Sequence, residues 1–251
     1  MANSLVRSGN PVLRSDPFTK EIGEPATDVM TIEGAVNKTI ILLLIVVGFA
    51  TLSWYHIENV LFNNYLHMFL IVLSILGFIV ALLTIFMKKL SPWTAPVYSA
   101  IQGLFLGIVS MLFEKSFPGI VLQAVGLTFG ILFSLLLAYK SGLIKATENF
   151  KLGVAAATGG IFVVYLCNFI LRFFGIGIPF IHEGGIWGIL FSLFVVVIAA
   201  LNLVIDFDFI EKGAEYGAPK YMEWYAAFGL MVTLIWLYLE ILRLLAKTRR
   251  R

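Results

Sequence analysis

The sequence predicts an all-α membrane protein in which seven transmembrane helices form one bundle. Of its 251 residues, 60% are hydrophobic and only 13% are charged, and the mean hydropathy is +0.94. Soluble domains carry about 45–50% apolar and about 25% charged residues, so this composition excludes a single water-soluble globule. The apolar residues form seven runs, each close to the ~20 residues that a bilayer-spanning helix needs. These runs lack sustained period-two alternation, which favours helices over barrel strands.

Short polar connections separate the seven predicted spans and leave no room for a soluble domain after residue 35. Three of these connections contain turn-forming residues: Asn63-Asn64, Ser91-Pro92 and Gly217-Ala218-Pro219. The predicted spans are Ala35–Tyr55, Tyr65–Met87, Thr94–Phe113, Phe117–Tyr139, Leu152–Phe174, Gly185–Ile210 and Tyr221–Leu245.

We expect three parts: a polar N-terminal segment over 1–30, a transmembrane domain over 31–246 and a basic tail over 247–251. The first 30 residues contain no apolar run, so we expect no cleavable signal peptide, and the first span serves as the insertion signal.

The basic residues predict the orientation of the bundle, because short cytoplasmic loops carry an excess of Lys and Arg. Of the 18 basic residues, eleven fall on one side. They are Arg7, Arg14, Lys20, Lys38, Lys88, Lys89, Lys140, Lys145, Lys151, Lys212 and Lys220. The opposite loops hold Lys115 and Arg172, which predicts a cytoplasmic N-terminus. The C-terminal run Arg243, Lys247, Arg249, Arg250 and Arg251 disagrees, since seven full spans place it outside.

Several kinds of membrane enzyme and receptor are excluded by missing residues. The last span has no lysine at its middle for a retinal Schiff base. The three histidines, His56, His67 and His182, lack the spacing of a zinc protease. No Walker A loop and no nucleophile-elbow serine occurs. We therefore expect no enzyme activity, no cofactor and no nucleic-acid partner.

Ionisable residues within or beside the apolar spans are the candidate functional residues. Each costs about 2.5–3.5 kcal/mol at mid-helix, and such residues usually mark ion or proton pathways. The candidates are Asp206, Asp208, Glu223, Glu240 and Arg172, with Gln102, Asn168 and Asn202 as uncharged polar support.

Asp206 and Asp208 are expected to point in different directions, because two positions correspond to about 200° around a helix. Asp206 shares a helix face with Asn202, which indicates an inward polar stripe. Asp208 shares a face with Lys212 and is placed to form an ion pair with it at the membrane rim. Asp206 is therefore the better internal acid, unless both lie at headgroup level.

Two further acids have structural explanations beside functional ones. Glu240 can pair with Arg243 or with Arg172, and Glu223 can stabilise the N-terminus of the last helix. Gly103 and Gly107 form a small-residue face on the third helix, beside Gln102, which favours close helix packing there.

At these positions the sequence resembles the Bax inhibitor-1/YccA-type family of seven-helix membrane proteins, in its bacterial branch. The third helix carries Gln102-Gly103-Leu104-Phe105-Leu106-Gly107, similar to the acidic-residue-Gly-Leu-x-x-Gly motif of the family. The sixth carries Asp206 followed by Ile210, similar to Tyr-Asp-x-x-x-Ile. The seventh carries Leu237-Tyr238-Leu239-Glu240-Ile241, similar to Leu-Tyr-Leu-Asp-Phe, and Lys88 and Lys89 close the second helix.

The resemblance implies a pH-sensitive calcium leak channel in a bacterial cytoplasmic membrane. In such proteins, acids in helices six and seven open or close the path according to their protonation, and a basic residue at the end of helix two latches one of them. Carried over by motif, these residues are Asp206, Glu240 and Lys88. Asp206 is then also a candidate for weak calcium binding.

Depth along the helices leaves the partner of Asp206 open. At 1.5 Å per residue, Asp206 lies about 6 Å before the predicted end of helix six. Glu223 lies about 3 Å into helix seven, and Glu240 about 28 Å. Either Asp206 pairs with Glu223, or a bent or offset helix seven brings Glu240 to it.

Three functions remain after these exclusions. The first is a calcium or proton leak gated by buried carboxyl groups, which burial and like-charged neighbours make sensitive to mild pH. The second, also implied by the resemblance, is a regulatory protein that binds a membrane protease or another membrane partner through Met1–Met30. The third is proton-coupled transport, although no inverted repeat is visible.

Overall fold

The computed structural model describes residues 29–60, 66–174 and 185–250. They form seven long helices, each apolar enough to cross a membrane, so the chain is an integral membrane protein, as predicted. The helices are α1 (Ile32–Val60), α2 (Leu66–Phe86), α3 (Ser91–Ser116), α4 (Ile120–Lys140), α5 (Glu148–Phe173), α6 (Ile186–Glu215) and α7 (Met222–Arg249). A 3₁₀ turn, Lys88–Leu90, joins α2 to α3.

The last helix, α7, forms the centre of the bundle. It packs against α1, α3, α4 and α6, whereas α2 packs mainly on α3, and α5 on α6. The most buried helix is thus not the most apolar: over an 18-residue window, the mean hydropathy is 1.8 for α7 and 3.0 for α2. Polar side chains are costly in hydrocarbon, so the helix that carries them is stable at the centre, with purely apolar helices facing lipid.

The two ends of the bundle differ in charge. The basic end contains the start of α1, the 3₁₀ turn, the α4–α5 connection and the α6–α7 connection. Its lysines are Lys38, Lys88, Lys89, Lys140, Lys145, Lys151, Lys212 and Lys220. The opposite end contains the α3–α4 connection and the end of α7.

Helix α7 continues through Arg249, so the predicted basic tail is helical over its first three residues. Lys247 is buried, and its Nζ donates to Ser192 Oγ at 2.7 Å and to the Gly188 carbonyl at 3.1 Å. Arg249 donates to the Pro118 carbonyl and to Gln123 Oε1. These contacts explain how basic residues are accommodated at the end where the charge rule disfavours them.

Helices α1 and α3 approach closely at two glycines, as the small-residue face predicted. A Cβ atom at Gly103 would lie 2.6 Å from the Val46 carbonyl oxygen, and one at Gly107 would lie 2.3 Å from that of Ala50. Both distances are shorter than van der Waals contact, so these positions require glycine for packing rather than for backbone conformation.

We expect Gly107→Ala to destabilise the fold by about 1–3 kcal/mol, because the added methyl group forces α1 and α3 apart. The matched control is Gly126→Ala in α4, where a Cβ would meet no atom within 4 Å. Unfolding of both variants in detergent micelles provides the comparison. Equal stability of the two variants would contradict this account of the α1–α3 contact.

Candidate functional site

Three of the four acids singled out in the sequence lie at different levels along the α6–α7 interface and its ends. Glu223 is at the basic end, Asp206 is in the middle, and Glu240 is toward the opposite end. Glu223 and Glu240 are fully buried, with exposed fractions of 0%. Their different partners determine what each can do.

Glu223 holds the start of α1 against the start of α7. Its Oε1 accepts hydrogen bonds from the Thr31 backbone N–H and hydroxyl, both at 3.0 Å. Lys220 Nζ lies 3.1 Å from the same oxygen. Thr31 in turn caps α1 by accepting from the Gly34 N–H. A carboxylate is favourable at a helix N-terminus, and Glu223 lies at the N-termini of both α1 and α7. The sequence predicts this stabilisation for the last helix only.

The fit around Glu223 is tight. A Cβ atom at Gly34 would lie 1.9 Å from Glu223 Oε1, so a side chain at that position would displace the carboxylate. The residues before α1 are also fixed, since the Met30 N–H donates to the Ala218 carbonyl at 2.7 Å and Val29 bridges to Pro219. The basic end is thus fastened across α1, α7 and the α6–α7 connection.

Asp206 lies against α7 near Gly229 and Thr233. Its Oδ1 is 3.9 Å from the place that a Gly229 Cβ would occupy, and the Thr233 side chain lies beside the carboxyl group while its hydroxyl donates to the Gly229 carbonyl at 3.3 Å. Its Oδ2 is buried without a hydrogen-bond partner. Within the residues that the structure describes, Asp206 forms no ion pair.

The depth of Asp206 differs from the sequence expectation, because α6 ends at Glu215 rather than at Ile210. Asp206 therefore lies about 14 Å before the end of its helix, not about 6 Å. It faces Gly229 and Thr233 of α7. Along the helix axis, Gly229 is about 9 Å beyond Glu223, and Thr233 is about 10 Å before Glu240. The expected match in depth with Glu223 does not hold, and Asp206 lies between the two glutamates.

Glu240 belongs to a network of hydrogen bonds at the opposite end. Tyr165 of α5 donates its hydroxyl to the carboxylate, 3.1 Å from either oxygen, and Arg243 donates to Oε1 at 2.7 Å. The Arg243 guanidinium also lies over the Tyr165 ring, 5.6 Å from its centroid. The predicted pair with Arg243 is present, whereas the side chain of Arg172 lies outside the described residues.

Asp208 forms ion pairs at the basic end. Its Oδ2 lies 3.2 Å from Lys212 Nζ, the predicted pair, and 2.6 Å from Lys151 Nζ, which the sequence did not indicate. Lys151 also pairs with Glu148. Asp208 and Asp206 therefore have different roles, with Asp206 the internal acid.

The supporting residues hold helices together at other contacts. Asn202 donates to Thr158 Oγ1 of α5 at 2.9 Å, and to its own helix. Gln102 lies beside Tyr98, one turn earlier on α3, and against Gly77 of α2. Lys88 lies over the Tyr225 ring at 5.5 Å, and within the described part of the chain it forms no ion pair with an acid.

A resident calcium ion does not fit Asp206. Among the described residues, no three His, Cys, Asp or Glu side chains come close enough to hold a metal. Calcium takes six to eight oxygen ligands, and one carboxyl group beside Thr233 supplies few of them.

We expect Glu223→Ala to cost about 1–3 kcal/mol, because it leaves the Thr31 N–H without an acceptor. Hydrogen exchange of the backbone amides at the start of α1 should be faster in Glu223→Ala than in the wild type. The control is Glu33→Ala, which removes an exposed acid from the first turn of α1. A larger effect from the control than from Glu223→Ala would show that Glu223 does not hold α1.

Comparison with known proteins places the whole bundle in one family. The family model described as "Bax inhibitor 1 like" matches residues 10–250, which includes every helix and every acid discussed above. No curated protein sequence matches the chain. Since the match extends over nearly the full length, the chain belongs to the Bax inhibitor 1 like family.

Proposed function

We propose that the protein is a non-enzymatic cation leak, for calcium or protons, whose permeation depends on the protonation of Asp206. The observation that supports this most is that Asp206, between α6 and α7, has an unpartnered Oδ2 and no ion pair within the described residues, whereas Glu223, which also has one unpartnered oxygen, is paired with Lys220. A charged side chain at the centre of a membrane helix costs about 2.5–3.5 kcal/mol. This carboxyl group is therefore stable in the closed bundle with a bound proton or cation, and unstable as a bare anion.

The neighbouring acids give Asp206 fixed surroundings. Glu223 is held by Thr31 and Lys220, and Glu240 by Tyr165 and Arg243. These partners hold both glutamates in place, whereas Asp206 forms no ion pair within the described residues. Loss of the proton from Asp206 requires water or a cation to enter the α6–α7 interface, and this entry is the proposed opening step.

We propose that the basic end faces the cytoplasm of a bacterial cell and that the protein lies in its cytoplasmic membrane. Eight lysines of the described residues lie at that end, and short cytoplasmic loops carry an excess of Lys and Arg. The contacts of Lys247 and Arg249 account for the basic residues at the opposite end.

Asp206→Asn should abolish the pH dependence of the leak. Asparagine has nearly the shape of a protonated aspartate and cannot ionise, so the variant should show the wild-type rate of pH 6 at both pH 6 and pH 8. Calcium efflux from proteoliposomes at the two pH values measures this. We expect the wild-type rates to differ several-fold and the variant rates to agree within about twofold, since one charge is worth a few kcal/mol here.

The control for this experiment is Glu215→Gln, which neutralises an exposed acid at the end of the same helix. It should retain the wild-type pH dependence. A wild-type leak that is flat between pH 5 and pH 8, or an Asp206→Asn variant that keeps the full pH response, would refute the proposed gate.

A second candidate function is regulation of a membrane partner, such as a membrane protease. It is favoured by the fixed position of Val29 and Met30 against the α6–α7 connection, next to Thr31, which donates to Glu223. Removal of residues 1–28 separates the two functions. A cation leak should persist after this removal, whereas loss of activity with Asp206 intact would favour the partner-binding function.

A further inference from the structure

A long cleft lies between α1 and α4 on the side of the bundle that faces lipid. The two helices share no extensive contact, although both pack against α6 and α7. Helix α6 forms most of the floor at the basic end, and α7 contributes the floor toward the opposite end. The cleft has a section of about 930 Å³ at the basic end and one of about 420 Å³ toward the opposite end. Leu43 of α1 and Phe129 of α4 border both sections.

The length of the cleft matches the bilayer. Its α1 wall extends from Ile32 to Tyr55, which is about 35 Å of helix, against about 30 Å of hydrocarbon. The basic-end section, from Ile32 to Leu43, is about 17 Å long, close to the depth of one leaflet. Its walls are mostly apolar and include Val36, Ile40, Leu132, Phe133 and Leu136.

The basic-end section finishes at a polar mouth with two lysines available to a ligand. Lys140 and Lys145 line it, are exposed, and form no ion pair within the described residues. Of the two acids at the mouth, Asp208 pairs with Lys151 and Lys212, and Glu211 keeps its charge while it accepts a hydrogen bond from Tyr139. With Glu148, the other partner of Lys151, included, four lysines stand against three acids, so the mouth has a formal charge of +1 at the level where lipid headgroups lie.

We propose that this section binds an anionic phospholipid, with one acyl chain along the cleft and the phosphate beside Lys140 and Lys145. An apolar cleft open to hydrocarbon is filled by the chains around it, because empty space forfeits dispersion contacts. The lysines add selectivity for a negative headgroup, since each Lys near the surface attracts anionic lipid. A transmembrane helix of a partner would fill the cleft without using this charge at the mouth.

Native mass spectrometry of the full chain in detergent tests the selectivity. The probes are dioleoylphosphatidylglycerol, which is anionic, and dioleoylphosphatidylcholine, which is zwitterionic with the same chains. We expect wild-type protein to bind the anionic lipid about tenfold more tightly, which corresponds to about 1.4 kcal/mol, because Lys140 and Lys145 attract the negative headgroup. Lys140→Gln/Lys145→Gln should remove this preference. The control Lys89→Gln, at an exposed lysine of the same end outside the cleft, should retain it.

A second variant tests the acyl-chain position. Val36→Trp narrows the cleft at a half-exposed wall position and should reduce binding of both lipids, with its unfolding transition retained. Equal binding of the two lipids by wild-type protein, or an unchanged preference in the double lysine variant, would overturn the proposal. Complete displacement of the lipid by glycerol phosphate would also overturn it, because the headgroup would then bind without an acyl chain. Loss of protein dimers rather than lipid adducts in Val36→Trp would overturn it as well, because the cleft would then bind a second copy of the chain.

Discussion

A carboxylate inside a membrane bundle needs a partner, and this requirement accounts for much of the arrangement of α6 and α7. Glu223 and Glu240 meet it with helix termini, a tyrosine and basic side chains, which fasten the bundle at its two ends. Asp206 lies between them and forms no ion pair within the described residues. The same physical cost thus gives the two glutamates charged partners and leaves Asp206, in our proposal, as the acid whose protonation controls the leak.

The position of α7 follows from the same requirement. Its Glu223, Glu240 and Lys247 are all buried, and only a helix surrounded by others can supply partners to each of them. Helices α2 and α5 carry fewer such groups in their interiors and lie at the periphery. The gap between α1 and α4 is consistent with this order, since both helices pack on α7 rather than on each other.

The sequence was sufficient for features that depend on local spacing or on composition. The seven spans, the pairs Asp208–Lys212 and Glu240–Arg243, and the glycine contact of α3 each follow from hydropathy or from residues three or four positions apart. The end of α6 was placed too early, because the charged residues after Ile210 resemble a loop, although they continue the helix to Glu215. That error shifted the estimated depth of Asp206.

Contacts between distant segments could not be predicted from spacing. Thr31 and Glu223 are 192 positions apart, and Lys151 reaches Asp208 only because α5 packs on α6. Lys247 belongs to a basic run that is typical of a solvated tail, and its burial depends on where α6 begins. The cleft depends on the absence of packing between two helices, for which a single sequence contains no signal.

The central claim is that Asp206 carries a proton in the closed bundle and loses it when the path opens. Infrared difference spectroscopy in calcium-free buffer measures this directly through the carbonyl stretch of a protonated carboxyl group. We predict a band that is present at pH 6, absent from Asp206→Asn, and lost with rising pH over the range in which the leak changes. The absence of an Asp206-dependent band at every pH at which the protein is folded would contradict the account.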